Sequence, residues 1–131
     1  MDHGTTEHSI QILSILDTHS QQSPTIQVKT RFTGADVAAV LDDLVRGGHC
    51  PTTITIDPPA ALVDTAVAAW AAAQPPMTVR HPRPGSPSRH AAIESLQRRL
   101  RRECLSVHVG ATVDDLQTAV EAWREGYNTR Q

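Results

Sequence analysis

Apolar residues follow three rhythms along this chain, and each predicts a different kind of element. From Ile10 to Leu16 the run IQILSIL is almost continuously apolar, and from Thr25 to Thr30 the run TIQVKT alternates. Both patterns predict β-strands, and the intervening HSQQSP predicts a turn that pairs them antiparallel. Between Gly34 and Arg46, Val37, Val40, Leu41, Leu44 and Val45 fall on one face at helical spacing, with Gly47-Gly48 as a stop. The β-branched run TTITI, Thr52 to Ile56, predicts a third strand. After Asp57-Pro58-Pro59 comes an Ala-rich helical stretch to Ala73, with Leu62, Val63, Ala66, Val67 and Trp70 in register. The proline-rich stretch from Gln74 to Pro87 reads as a loop with one further strand at Met77 to Arg80. A helix from Ser88 to Glu103 carries the stripe Ile93, Leu96, Leu100. A last helix starts at Thr112, whose hydroxyl can cap it, and its seam Val113, Leu116, Val120, Trp123 and Tyr127 has to be buried. The order β-β-α-β-α-(β)-α-α predicts an α/β fold, a sheet flanked by helices.

Composition narrows this picture. At 131 residues the chain is expected to form a single domain, and with 39% hydrophobic but 3% aromatic residues its core must be built from Ala, Val, Leu and Ile. No apolar run is long enough to span a bilayer, and the polar start MDHGTTEHS does not read as a secretion signal, so no membrane partner is expected. Cys50 and Cys104 stand outside any metal-binding spacing and read as reduced thiols of a cytoplasmic protein. The seven histidines are scattered, and no Gly-rich phosphate loop or G-x-S-x-G elbow is present.

Charge changes the picture more. Between Arg80 and Arg102 there are seven arginines and one acid, Glu94, a local net of +6 in a chain whose total is −2. Such a surface can track a phosphate backbone, although a solvated helix face accounts for it equally well. Arg83, Arg89, His90, Arg98, Arg101 and Arg102 are the candidate DNA contacts. Glu94 is conspicuous in that setting, with His90 one turn before it and Arg98 one turn after it. Asp57, at the carboxyl end of its strand, suits a metal ligand, but an Asp before Pro-Pro and a helix also reads as an N-cap. Trp123 and Tyr127 lie on the apolar seam, which favours packing over stacking on bases.

Taken in order, several short motifs resemble the integrase core of bacterial insertion-sequence transposases, a group similar to retroviral integrases. They are LSILD (Leu13 to Asp17), TGADV (Thr33 to Val37), ITID (Ile54 to Asp57) and AAW (Ala68 to Trp70). There follow RPGSP (Arg83 to Pro87), AAIESLQRRLRRECL (Ala91 to Leu105), DDL (Asp114 to Leu116) and EAWREGYN (Glu121 to Asn128). The resemblance implies a ribonuclease H-like mixed sheet flanked by helices. It places Asp57 and Glu94 at the second and third positions of a D, D, E catalytic triad that binds Mg²⁺ or Mn²⁺ for phosphodiester cleavage and strand transfer. Thirty-six residues separate the two, one more than the family's usual spacing. DNA is the implied partner.

The departures carry predictions of their own. The family's first catalytic Asp lies on a strand before LSILD, where this sequence has no counterpart, and Asp17 matches a turn position. Pro58-Pro59 replaces the family's Asn-Gly, removing two backbone donors next to the second Asp, and His90 stands where the family has Asn. The expectation is an N-terminally truncated core over residues 1–131, with no separate DNA-recognition domain and no strand-transfer activity. The alternative is a non-enzymatic DNA-binding or transposase-modulating protein that uses the Arg80–Arg102 surface. The missing central strand is to be replaced either by Ile10 to Leu16 moving inward, or by a second chain supplying an edge in a homodimer; the transposase-modulating alternative implies mixed assembly with a full-length transposase.

Overall fold

The structure, a computed structural model, describes residues 10–17, 19–49, 53–57, 61–73 and 91–129, with the side chains of 61–64 excepted. Its elements are β1 (Gln11–Asp17), β2 (Gln22–Lys29), α1 (Gly34–Arg46), β3 (Thr53–Asp57), α2 (Ala61–Ala72), α3 (Ala91–Glu103) and α4 (Val113–Thr129), with a 3₁₀ turn at Leu105–Val107 between the last two helices. The three strands form one sheet in the order β2-β1-β3. Both pairings are antiparallel, with Ser14 opposite Ile26 on one side and opposite Thr55 on the other.

β1 is therefore the central strand, as the first of the two replacements for the missing strand requires. Its alternation explains the layering. Ile12 and Leu16 face one side, where they pack with Ile26 and Val28 of β2, Ile93, Leu96 and Leu100 of α3, and Leu116, Val120 and Tyr127 of α4. Leu13 and Ile15 face the other side, packing with Val37 and Leu41 of α1, Ile54 and Ile56 of β3, and Val67 and Trp70 of α2. The α/β sandwich is borne out. The arrangement is consistent with a truncated ribonuclease H-like core; among the described strands both pairings are antiparallel, with β3 directly against β1.

Local chemistry sets the ends of the elements. The TGADV segment is a capping box: Asp36 N–H donates to Thr33 Oγ1 at 3.1 Å and Thr33 N–H donates to the Asp36 carboxylate at 2.9 Å. At the other end of α1, His49 N–H reaches Leu44 O at 2.8 Å and Gly48 N–H reaches Val45 O at 3.0 Å, with Gly48 at φ 91°, where a side chain would be strained. Thr112 caps α4 through Asp115 N–H at 3.1 Å, as its sequence predicts. Trp70 of the AAW motif donates to Asp42 at 2.6 Å and so ties α2 to α1.

β2 begins three residues earlier than its alternation predicts. Asp17 pairs with Gln22 but Ile15 pairs with Thr25, so Ser23 and Pro24 together oppose Leu16 in a bulge. A bulge tolerates Pro24, which has no N–H to give the ladder. The turn is correspondingly tight: Asp17 accepts from His19 N–H at 2.9 Å, and Gln21 takes φ 64°. Asp17 thus ends β1 and its side chain caps the turn that follows, next to the turn position that the resemblance gives it. The predicted strand at Met77 to Arg80 lies outside the described residues.

Candidate functional site

Alternation along β3 turns Thr53, Thr55 and Asp57 toward the α3 side of the sheet, away from Ile54 and Ile56. Asp57 is the last residue of the strand, opposite Ile12 of β1. Residues 58–60, on which the N-cap reading of Asp57 depends, lie outside the described residues. The Asp57 carboxylate forms an ion pair with the guanidinium of Arg101, with the Asp57 side chain 25% exposed and that of Arg101 54%. One turn earlier on α3, Gln97 Nε2 donates to Ser14 Oγ at 3.4 Å, and Ser14 is the cross-strand neighbour of Thr55. These two contacts fix the direction of α3, which runs along β3 with its C-terminal half at Asp57.

Glu94 is placed by the same geometry. It lies seven residues before Arg101, on the same helix face but about 10 Å back along the axis, toward the Thr53 end of the strand. It is exposed, as its place between the buried Ile93 and Leu96 on the outer side of the stripe dictates. Glu94 thus lies on the side of α3 that Arg101 presents to Asp57, but Arg101 is the group that meets Asp57.

The candidate DNA contacts divide. Arg98 and Arg102 are exposed on the outer face of α3, with the Arg102 side chain 72% accessible and 3.7 Å from Glu103. Arg101 is engaged at Asp57. Arg83, Arg89 and His90 lie outside the described residues. Arg99 is turned inward: its guanidinium stands 5.1 Å from the Tyr127 ring centre and 3.5 Å from Glu103. Trp123 stacks on Tyr127 at 5.3 Å and donates its indole N–H to Glu103 at 3.0 Å, so both aromatics serve packing. Burial raises the Tyr127 hydroxyl above its ordinary pKa, and likewise the Cys104 thiol.

A polar cleft of about 280 Å³ lies at the far end of β1, bordered among others by Asp17, His49, Arg124 and Asn128. The pattern of polar residues did not single it out. Arg124 there forms a close pair with Glu121, which holds the Glu121 carboxyl below its ordinary pKa and raises that of Arg124. Arg124 and Asn128 are also spent on the backbone of β2: Arg124 Nη1 and Asn128 Nδ2 donate to Ser23 O at 2.8 and 2.9 Å, and Asn128 Oδ1 accepts from Ser23 N–H at 2.8 Å.

Residues 77–131, which include α3, α4 and Glu94 but not Asp57, match the family model of the integrase core domain. The full chain is 28% identical over 131 residues to a 31.7 kDa protein of insertion element IS407 from Burkholderia multivorans, of which it covers 47%. These similarities point to an integrase core of the insertion-element kind over the C-terminal part of the chain. It is also 27% identical over 125 residues, 91% of its length, to a 39.2 kDa protein of insertion element IS476 from Xanthomonas euvesicatoria, covering 34% of that protein. The chain thus spans about half or less of these two relatives. No solved structure matches it.

An integrase core generally works with divalent metal, and the described residues can be tested for a fit. A hard cation such as Mg²⁺ needs an octahedron of oxygens, and a metal pair needs several carboxylates converging on it. Here the Asp57 carboxylate faces a guanidinium, Glu94 is two turns away along α3, and the described residues contain no group of three His, Cys, Asp or Glu able to hold a metal. The arrangement described does not fit the metal pair. No described helix is long and apolar enough to cross a membrane.

Proposed function

We propose that this integrase core serves DNA transposition by binding insertion-element DNA without cleaving or joining it. The observation that carries this reading is the Asp57–Arg101 pair. It puts a side-chain cation on the carboxylate that the resemblance assigns to metal, and it leaves Glu94 two turns away along α3. Pro58-Pro59 supports it from the sequence, since no backbone N–H follows Asp57 to orient its carboxylate toward a metal. The binding half of the proposal is supported by Arg98 and Arg102, exposed on the same helix within a stretch of net charge +6. Insertion-element ends are the chosen substrate because both relatives are named as insertion-element proteins.

The test is a cleavage and strand-transfer assay on labelled insertion-element ends with millimolar Mg²⁺ or Mn²⁺, run beside a gel-shift on the same DNA. A shift without nicked or joined product is the expected outcome. Metal-dependent product that disappears in Asp57→Asn and Glu94→Gln would instead establish the enzyme.

A further inference from the structure

The misfit between the carboxylates and a metal pair has a positive side, which rests on the non-catalytic reading above. We propose that Arg101 is the resident cation of this core: its guanidinium takes the place of a metal ion at Asp57 and docks α3 on the edge of the sheet.

Asp57 is only 25% exposed and sits on a sheet face whose neighbouring strand positions are Ile12, Ser14 and Thr55. None of those can neutralise a carboxylate, and a half-buried charge without a counter-ion is costly. In a metal-dependent core the ion supplies that neutralisation and draws the second carboxylate in. Here Arg101 supplies it from the helix itself, and the contact is in register with its neighbours. Gln97 reaches Ser14 one turn before, and Ile93, Leu96 and Leu100 form the buried stripe beside them. Two residues separate Asp57 from Thr55 along β3, a rise of about 7 Å, and four separate Arg101 from Gln97 along α3, a rise of about 6 Å. The polar contacts therefore repeat together. A helix seated this way keeps Glu94 away from Asp57, so the ion pair and a Glu94-containing metal site exclude one another.

The test uses the full chain and does not depend on activity. Thermal unfolding is followed for the native chain, Asp57→Asn, Arg101→Gln and the double variant, with and without millimolar Mn²⁺ at matched ionic strength. Each single change is expected to lower Tm by roughly 5 °C and the double change by clearly less than the sum. Mn²⁺ is expected to leave the native Tm unchanged, and Glu94→Gln to behave as native. Additive losses would overturn the proposal. So would saturable stabilisation of the native chain by Mn²⁺ that Asp57→Asn abolishes, because a metal would then displace Arg101. Arg101→Lys, which keeps a charge but not the planar fork, serves the cycle if Arg101→Gln does not fold. Strand-transfer product in the separate assay would refute the non-catalytic reading, whereas additive Tm losses without product would refute the resident cation alone.

Discussion

Thr33 begins α1 by two reciprocal hydrogen bonds with Asp36, and the charge state of Asp36 decides whether both exist. The Thr33 backbone N–H, then its hydroxyl, hold the Asp36 carboxyl below its ordinary value of 3.8, and Lys29 adds to this from 3.5 Å. A carboxyl lowered in the folded state contributes stability above its unfolded pKa, and that contribution is lost as pH falls through the folded value. Thr33→Ala should therefore cost about 1 kcal/mol at neutral pH, within the usual range for a lost cap. Below the ordinary aspartate pKa the gap between Thr33→Ala and the native chain should narrow without closing. Once pH falls through the lowered folded-state value the Asp36 carboxyl is neutral and the Thr33 hydroxyl no longer stabilises its charge, while the bond from Asp36 N–H to that hydroxyl remains. Urea unfolding of both chains at neutral and at acid pH checks this, and a gap independent of pH would contradict it. The same scale shows what single residues reveal in sequence. Thr33, Asp36 and Gly48 act on neighbours a few positions away, so the bounds of α1 are legible as Gly34–Arg46. Asp57 acts on a residue 44 positions away, and its partner is not.

At the scale of elements, the EAWREGYN motif is explained by what α4 does to β2. Gln117, Arg124 and Asn128 recur at steps of seven and four, one face of the helix, and that face lies along the free edge of the strand. Gln117 Oε1 accepts from Val28 N–H at 2.7 Å and its Nε2 donates to Ile26 O at 3.0 Å, while Arg124 and Asn128 take the N–H and C=O of Ser23. Side chains thus occupy the backbone groups that another strand would use, and the edge is closed to association. Gln117→Leu would leave a donor and an acceptor unpaired under a covering helix, a cost of about 1–3 kcal/mol. Asn128→Leu should cost a similar amount at the bulge. Both variants should also associate as concentration rises, visible by light scattering, whereas a merely packed α4 would lose stability without association. The helix itself was legible from its apolar seam, and so were its cap and the antiparallel β1–β2 pair. The early start of β2 was not, because Ser23 and Pro24 read as turn residues until Asn128, Arg124 and the Ile15 carbonyl hold Ser23 in the strand. The register of α3 over β3 was equally hidden. Ile93, Leu96 and Leu100 show which face of α3 is buried, but not how far along β3 the helix is seated.

For the whole molecule, the decisive property is how a total charge of −2 is divided. Seven arginines lie between Arg80 and Arg102, yet the fold does not leave them equal. Arg99 is spent on Tyr127 and Glu103, Arg101 on Asp57, and Arg98 and Arg102 face water. A phosphate backbone would meet the last two first. If about five phosphates are neutralised in all, affinity for duplex DNA should fall roughly 500-fold between 50 and 200 mM salt. Arg98→Ala and Arg102→Ala should each weaken binding to any sequence and reduce the slope of log affinity against log salt by about one. Arg99→Ala should leave the slope unchanged and lower stability instead, since its guanidinium lies over the Tyr127 ring and not toward solvent. Arg101→Ala should fall between them, because a guanidinium already paired with a carboxylate has less charge to offer a phosphate. Fluorescence anisotropy titrations at several salt concentrations would read all four slopes. An equal effect of Arg98, Arg99 and Arg102 would mean that net charge alone draws this chain to DNA. The graded order is expected only if the outer face of α3 is the surface that meets it.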